Sequence, residues 1–249
     1  MSFFKNMNWS PIEYENASIL FGEMSEEMLT RLRFFHLNPT RILDVGCGLG
    51  DGSSALQQAY PEAQVIALDL SLAMLQHTKE KHAVVSLCAD VDHLPFKDHS
   101  FDLIFANFLL PWQESIVSFL KTCRRVLRPG GAFMFTAFGP DTLQEWRKEK
   151  LPFLPILIEM HDLGDCLMQV GFSGPVVERD HCTLHYQDQN KLIQELSACG
   201  MIERDTKYDV PPSLLQVTYE VILAHAFKEA DSHSQQGREV KIPVSMLKR

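Results

Sequence analysis

The residues best suited to chemistry fall in Leu43-Asp-Val-Gly-Cys-Gly-Leu-Gly50, an apolar run that breaks into alternating glycines. Glycines so spaced let the main chain approach a ligand closely, and a helix that follows offers free N–H groups to an anionic end. A dinucleotide fingerprint needs GxGxxG, but its third position here is Asp51, which argues against a pyrophosphate. Asp44, two residues before the first glycine, would repel a pyrophosphate and favours a ligand carrying positive charge. Asp69 ends the next apolar run, Val65-Ile-Ala-Leu-Asp69, where an acid can accept from both hydroxyls of a ribose. Asp90 follows a third run, Val84-Val-Ser-Leu-Cys88, and can accept from an adenine amino group while the N–H of Val91 faces a ring nitrogen. S-adenosylmethionine meets these requirements, because it carries a sulfonium, an ammonium and one carboxylate.

Positioning these groups requires a parallel sheet. The runs Arg41–Val45, Val65–Asp69, Val84–Cys88 and Phe101–Ala106 alternate with helical patterns over Ser54–Tyr60, over a Ser71-capped segment through Lys81, and over Gln113–Leu127. Pro129-Gly130-Gly131 ends the last of these helices and opens a strand from Ala132 to Ala137. In such an α/β sheet the carboxyl ends of the strands line one crevice. An amphipathic helix bearing Met24, Met28, Leu29, Leu32 and Phe35 precedes the first strand. After Gly139 the pattern changes. A polar helix over Asp141–Lys150 and a second over Asp162–Val170, closed by Gly171, lead to a short helix near Asn190–Ala198. That helix lies between two extended segments, Val176–Tyr186 and Leu214–Phe227, expected to form an antiparallel pair at the sheet edge. Asp231–Gly237 reads as a loop.

The chain of 249 residues carries 23 Lys and Arg against 32 Asp and Glu, a net charge of −9, which argues against electrostatic binding of nucleic acid. Six cysteines are spread without a CxxC pair, as expected of reduced thiols in a cytoplasm. No apolar stretch approaches the roughly 18 residues a membrane helix needs, and the N-terminal residues lack a secretory pattern.

LDVGCGLG, ALDLSLAML, CADVDHLPF and FDLIFANFLL together resemble the successive nucleotide-binding motifs of class I S-adenosylmethionine-dependent methyltransferases, over about Arg41 to Phe138. The resemblance implies a Rossmann-like fold: a seven-stranded, mostly parallel sheet with an antiparallel last strand and helices on both faces. It implies one domain over 1–249, with an N-terminal lid (1–38), a cofactor-binding core (39–139) and a substrate-side region (140–249). It also assigns cofactor contacts to Asp44, Gly46, Gly48, Gly50, Asp69, Leu70, Met74, Asp90, Val91 and Asn107.

Phe135-Thr-Ala-Phe-Gly-Pro-Asp-Thr-Leu143 with Trp146-Arg147, Met160 to Phe172, and Thr218 to Lys228 resemble the malonyl-[acyl-carrier protein] O-methyltransferases of bacterial biotin synthesis. The departures are Pro111, where that family usually has Gln, a loosely matched Tyr14-Glu-Asn-Ala17, and a short stretch from Gly200 to Leu214. The implied acceptor is the carboxylate of a malonyl thioester on acyl-carrier protein, or on coenzyme A. Alternatives are another small acceptor, or a cofactor-binding assembly or accessory protein that does not methylate.

A malonyl carboxylate is ionised at pH 7, its unperturbed pKa lying near about 4. It needs positioning rather than a general base, so no catalytic proton-transfer residue is expected. Arg147, whose planar fork can pair with a carboxylate, and Tyr14, on the lid, are the expected acceptor-binding residues. No metal site is expected, since His181 and His185 are four apart on a strand rather than a helix. Asp162 is expected to help start its helix beside His161 and Asp165. Lys121, Arg124, Arg125 and Arg128 are expected to serve a helix C-terminus, with docking of an acidic carrier as the alternative. Cys47 is assigned to packing.

Overall fold

The protein is described by a computed structural model covering residues 9–17, 19–204 and 206–230. The expected loop Asp231–Gly237 and the residues before Trp9 lie outside the described residues. Strands β1 (Arg41–Val45), β2 (Gln64–Asp69), β3 (Val85–Cys88), β4 (Phe101–Ala106), β5 (Leu127–Phe138), β6 (Phe172–His185) and β7 (Gln216–Lys228) form one sheet in the order β3-β2-β1-β4-β5-β7-β6. The first five are parallel, and β7 runs antiparallel between β5 and β6. The expected architecture is present.

The helices are α1 (Pro11–Ala17), α2 (Ile19–Leu32), α3 (Asp51–Ala59), α4 (Leu72–Lys81), α5 (Ile116–Val126), α6 (Gln144–Lys148), α7 (Met160–Val170) and α8 (Gln189–Ala198). Strand β1 is apolar on both faces because both are covered. Leu43 and Val45 pack with Phe119, Leu120 and Cys123 of α5 and Leu163 of α7, whereas Ile42 packs with Met28 and Leu32 of α2 and Leu56 of α3. Ser71 caps α4 by accepting from Met74 N, as expected, and no helix among the described residues is long and apolar enough to cross a membrane.

Several boundaries differ from expectation for local reasons. Helix α5 starts only at Ile116, capped by Ser115, because Leu110–Trp112 forms a separate 3-10 turn. Strand β5 already begins at Leu127: Phe101 pairs with Leu127 and Leu103 with Ala132, so Pro129-Gly130-Gly131 is accommodated as an irregularity within the strand. Helix α7 is capped by Glu159, which accepts from His161 N, and Asp162 sits in its first turn. The polar helix contracts from Asp141–Lys150 to Gln144–Lys148, since β7 claims its first turn: Asp141 N donates to Glu220 Oε2 at 2.7 Å and Thr142 Oγ1 to the Glu220 carbonyl.

The basic run closes the end of the sheet opposite the glycine turn. Arg125 donates to the carbonyls of Phe96 and Leu94 and to Asp98, and Arg124 to the carbonyl of Gly171, which ends α7. Arg128 pairs with Asp102 at 2.6 Å, and Asp102 also accepts from Thr40 N, Thr40 Oγ1 and Arg41 N. These three arginines are tied into the fold, and Arg124 and Arg125 lie in the last turn of α5, as expected of a helix C-terminus. Although partial burial opposes it, Arg128 and the Thr40 and Arg41 donors hold the Asp102 carboxyl below the usual range. Replacing Asp102 with Ala leaves two main-chain donors and Arg128 without their acceptor, so denaturant unfolding should show a loss of about 1–3 kcal/mol. A depressed carboxyl stabilises above its unfolded pKa, so the deficit should shrink as pH falls below about 4.

Candidate active site

The site begins where β1 ends. Gly46 N and Cys47 N both donate to the Leu68 carbonyl of β2, at 2.7 and 3.0 Å, which folds the turn back across the sheet edge. Gly50 has φ +84°, and a Cβ there would collide with Thr78 of α4, so only glycine lets the turn close and α3 begin. Burial and the neighbouring Asp44 push the Cys47 thiol up, as suits a packing residue.

Three carboxylates converge on this turn. Asp44 is buried and accepts from Ser53 Oγ. Burial, reinforced by nearby Asp69 and opposed by Ser53, pushes its carboxyl up to about 7. Asp69 is raised by burial too, but is held in place by two main-chain donors, Gly48 N at 3.0 Å and Ser71 N at 2.8 Å. Asp90 caps the 3-10 turn Val91–His93 by accepting from Asp92 N at 3.0 Å.

Two adjoining cavities share Tyr14, Phe21, Gly46, Gly48 and Asn107. The first brings together Gly46, Gly48, Asp69, Leu70, Met74, Asp90, Val91, Asn107 and Tyr14 of the sequence-derived set, and Asp44 lines the second. Gly50 lines neither, packing instead against Thr78. Arg147 is not brought to the cavities: its Nε donates to the Thr142 carbonyl, Nη2 to the Pro140 carbonyl, and its guanidinium lies 5.6 Å from the centroid of the Phe153 ring. It braces the loop after β5. Tyr14 lies against Gly48, and burial, with nearby Cys199 and Asp69, raises its phenol well above the ordinary value, so it stays a donor.

Sequence reasoning misses the lock behind Asn107. Thr136, fully buried in β5, donates to Asn107 Oδ1 at 2.8 Å and accepts from Phe108 N at 2.7 Å, while Asn107 Nδ2 donates to the Phe21 carbonyl at 2.7 Å. A lone threonine inside Phe133-Met-Phe-Thr-Ala-Phe138 is the signal that could have pointed to it. Trp9, Trp112, Gln113 and Cys199 also line the first cavity, brought from segments far apart in sequence. Away from the cavities, Asp141, His181 and Glu220 place ligand-type atoms within 4.8 Å of one another. There Glu220 serves as acceptor for the loop and faces Arg179 Nη1 at 3.5 Å.

Comparison with known proteins decides the family. A family model described as "Methyltransferase domain" matches residues 43–135. A malonyl-[acyl-carrier protein] O-methyltransferase of Gallionella capsiferriformans is 32% identical, the alignment covering 91% of this chain and 90% of that protein. Malonyl-[acyl-carrier protein] O-methyltransferase 1 of Coxiella burnetii is 33% identical, covering 94% and 90%. The chain belongs to the malonyl-[acyl-carrier protein] O-methyltransferase family. It is a methyltransferase. The fold agrees with a solved structure of Haemonchus contortus phosphoethanolamine N-methyltransferase 2 in complex with S-adenosyl-L-methionine, with a TM-score of 0.55, 21% identity, and coverage of 82% of this chain and 52% of that one.

The Asp44 carboxyl gives this methyltransferase a pH signature. A rise from 3.8 to about 7 corresponds to about 4 kcal/mol. Because the folded value is raised, stability falls as pH climbs from about 4 to about 7 and then levels off. Asp44→Asn should therefore raise the melting temperature at pH 8 but not at pH 4. A cationic ligand requires the ionised carboxylate, so its affinity, measured by calorimetry, should fall up to tenfold per pH unit below about 7 in the native protein.

Proposed function

We propose that this protein transfers a methyl group from S-adenosylmethionine to the free carboxylate of a malonyl thioester on acyl-carrier protein, giving the methyl ester that enters biotin synthesis. The observation that carries the cofactor assignment is the convergence of Asp44, Asp69 and Asp90, from the ends of β1 and β2 and just beyond β3, on adjoining cavities. A buried carboxylate raised to about 7 calls for a cation, and the group's ammonium and sulfonium fit that need. When bound, S-adenosylmethionine supplies an electrophilic methyl group on sulfur.

The chain's own residues bind and orient. Asp44 takes the ammonium. Asp69, fixed by Gly48 N and Ser71 N, retains accepting capacity for the ribose hydroxyls. Asp90 and Val91 hold the adenine, between Leu70 and Met74. Asn107, locked by Thr136, sets the rim on which the acceptor rests. Tyr14, carried by the N-terminal lid, closes over Gly48 and offers a permanent hydroxyl donor to the acceptor. No group needs to remove a proton, because the acceptor oxygen is already anionic, so alignment and exclusion of water are what this site contributes. The malonyl acceptor is supported by the named relatives, and a cytoplasmic setting by six free thiols.

Incubation with S-adenosylmethionine and malonyl-acyl-carrier protein, followed by mass spectrometry of the intact carrier, should show a gain of one methyl that is absent with acetyl-carrier protein. No gain despite cofactor binding would refute the acceptor. Asp69→Ala, which deletes two charge-assisted hydrogen bonds to the ribose, should weaken cofactor binding by about 100-fold or more in calorimetry.

A further inference from the structure

We propose that Asp141, His181 and Glu220 form a binding site for a divalent transition-metal ion of the zinc class, beside the loop that follows β5. None of the three lines either cavity, so the proposal stands independently of the cofactor and the acceptor.

The three groups come from three segments that the sheet holds in place. His181 of β6 and Glu220 of β7 are paired directly across the antiparallel ladder, so their side chains leave the same face. Asp141 stands just past β5, tied to the same strand: its N donates to Glu220 Oε2 at 2.7 Å, and Gly139 N donates to the Glu220 carbonyl at 2.8 Å. A Cβ at Gly139 would lie 2.3 Å from Glu220 Cδ, so this glycine leaves the room that the carboxylate occupies. His185 pairs with Gln216, roughly 13 Å further along β6. The partners of His181 therefore lie across the ladder, where spacing along one strand does not reveal them.

One ligand-type atom from each residue lies within 4.8 Å of the other two. His181 Nε2 and Asp141 Oδ2 are 3.3 Å apart. A tetrahedron with metal–ligand bonds of about 2.0–2.1 Å has edges of about 3.4 Å. An imidazole nitrogen with two carboxylate oxygens suits zinc, water completing the coordination, whereas calcium and magnesium take oxygen ligands. Imidazole ligates in its neutral form, so the set offers two negative charges to a doubly charged ion.

The guanidinium that faces Glu220 is loosely placed. The Glu220 side chain is 1% exposed, yet Arg179 Nη1 stands 3.5 Å from its Oε1, on a side chain that is 51% exposed. Glu159, which caps α7 and whose carboxyl is held low by His161 and in smaller part by Arg179, offers that guanidinium a second acid when a metal takes Glu220. A bound ion joins the loop after β5 to both antiparallel strands, which makes this a stabilising site and not a reaction centre.

The test is calorimetric titration of zinc chloride into the full chain saturated with S-adenosylhomocysteine, which keeps zinc from the cavity acids. One ion should bind per chain. His181→Ala and Asp141→Asn, at exposed positions, should each weaken binding by about 100-fold or more, while His185→Ala should leave it unchanged. Zinc at about 100 times its Kd should raise the melting temperature of the unsubstituted chain by roughly 5–10 °C, and that of His181→Ala far less. Cobalt in place of zinc should give visible ligand-field bands without the near-ultraviolet absorption of thiolate ligation, since free thiols are the competing ligands. Affinity unchanged by both variants, a thiolate band, or weak binding at many positions, which would mean an adventitious ion only, overturns the proposal.

Discussion

Crowding of negative charge at one edge of the sheet is the constraint on which the rest of this structure depends. Parallel strands bring their carboxyl ends to the same side, so acids that end β1 and β2 and follow β3 meet in one crevice. Asp44 is the extreme case, buried and raised to about 7. Such an arrangement lowers the stability of the empty fold, and a bound cation would relieve it. The surroundings keep it in place: main-chain donors fix Asp69, Ser53 meets Asp44, and a glycine turn brings the backbone close without filling the space.

The cofactor side of the site is legible in sequence because each of its determinants is local. Asp44, Gly46 and Gly48 lie on one strand and its turn, and Asp69 and Asp90 close the next two βα units, so the topology of a parallel sheet is enough to bring them together. The acceptor side is not local. Arg147 has the right chemistry and the right element, yet Glu220, on the last strand, holds Asp141 and Thr142 and shortens the helix to five residues, leaving the guanidinium beside two loop carbonyls. Thr136 earns its place only through Asn107 and Phe108, just beyond the end of the neighbouring strand β4. Pairings of this kind are set by register between distant segments, which no spacing within one segment encodes.

The two sides also divide the physics. Where the cofactor is expected, the protein uses carboxyl groups and directed hydrogen bonds. Where the acceptor is expected, it uses aromatic walls, with Tyr14 edge-on to Trp9 and Phe21, and Phe108 stacked on Phe138 at 4.5 Å between centroids.

Strand β7 comes last among the described strands, yet it sits inside the sheet, between β5 and β6. During synthesis, β5 and its row of phenylalanines have an unpaired edge until about ninety residues more have emerged, a long interval at roughly 5–20 residues per second. An exposed apolar edge of that length is a template for pairing with other chains. The same insertion that completes the sheet therefore makes newly made protein dependent on a late, non-local step, and places the chief aggregation hazard of this fold in the window before β7 arrives.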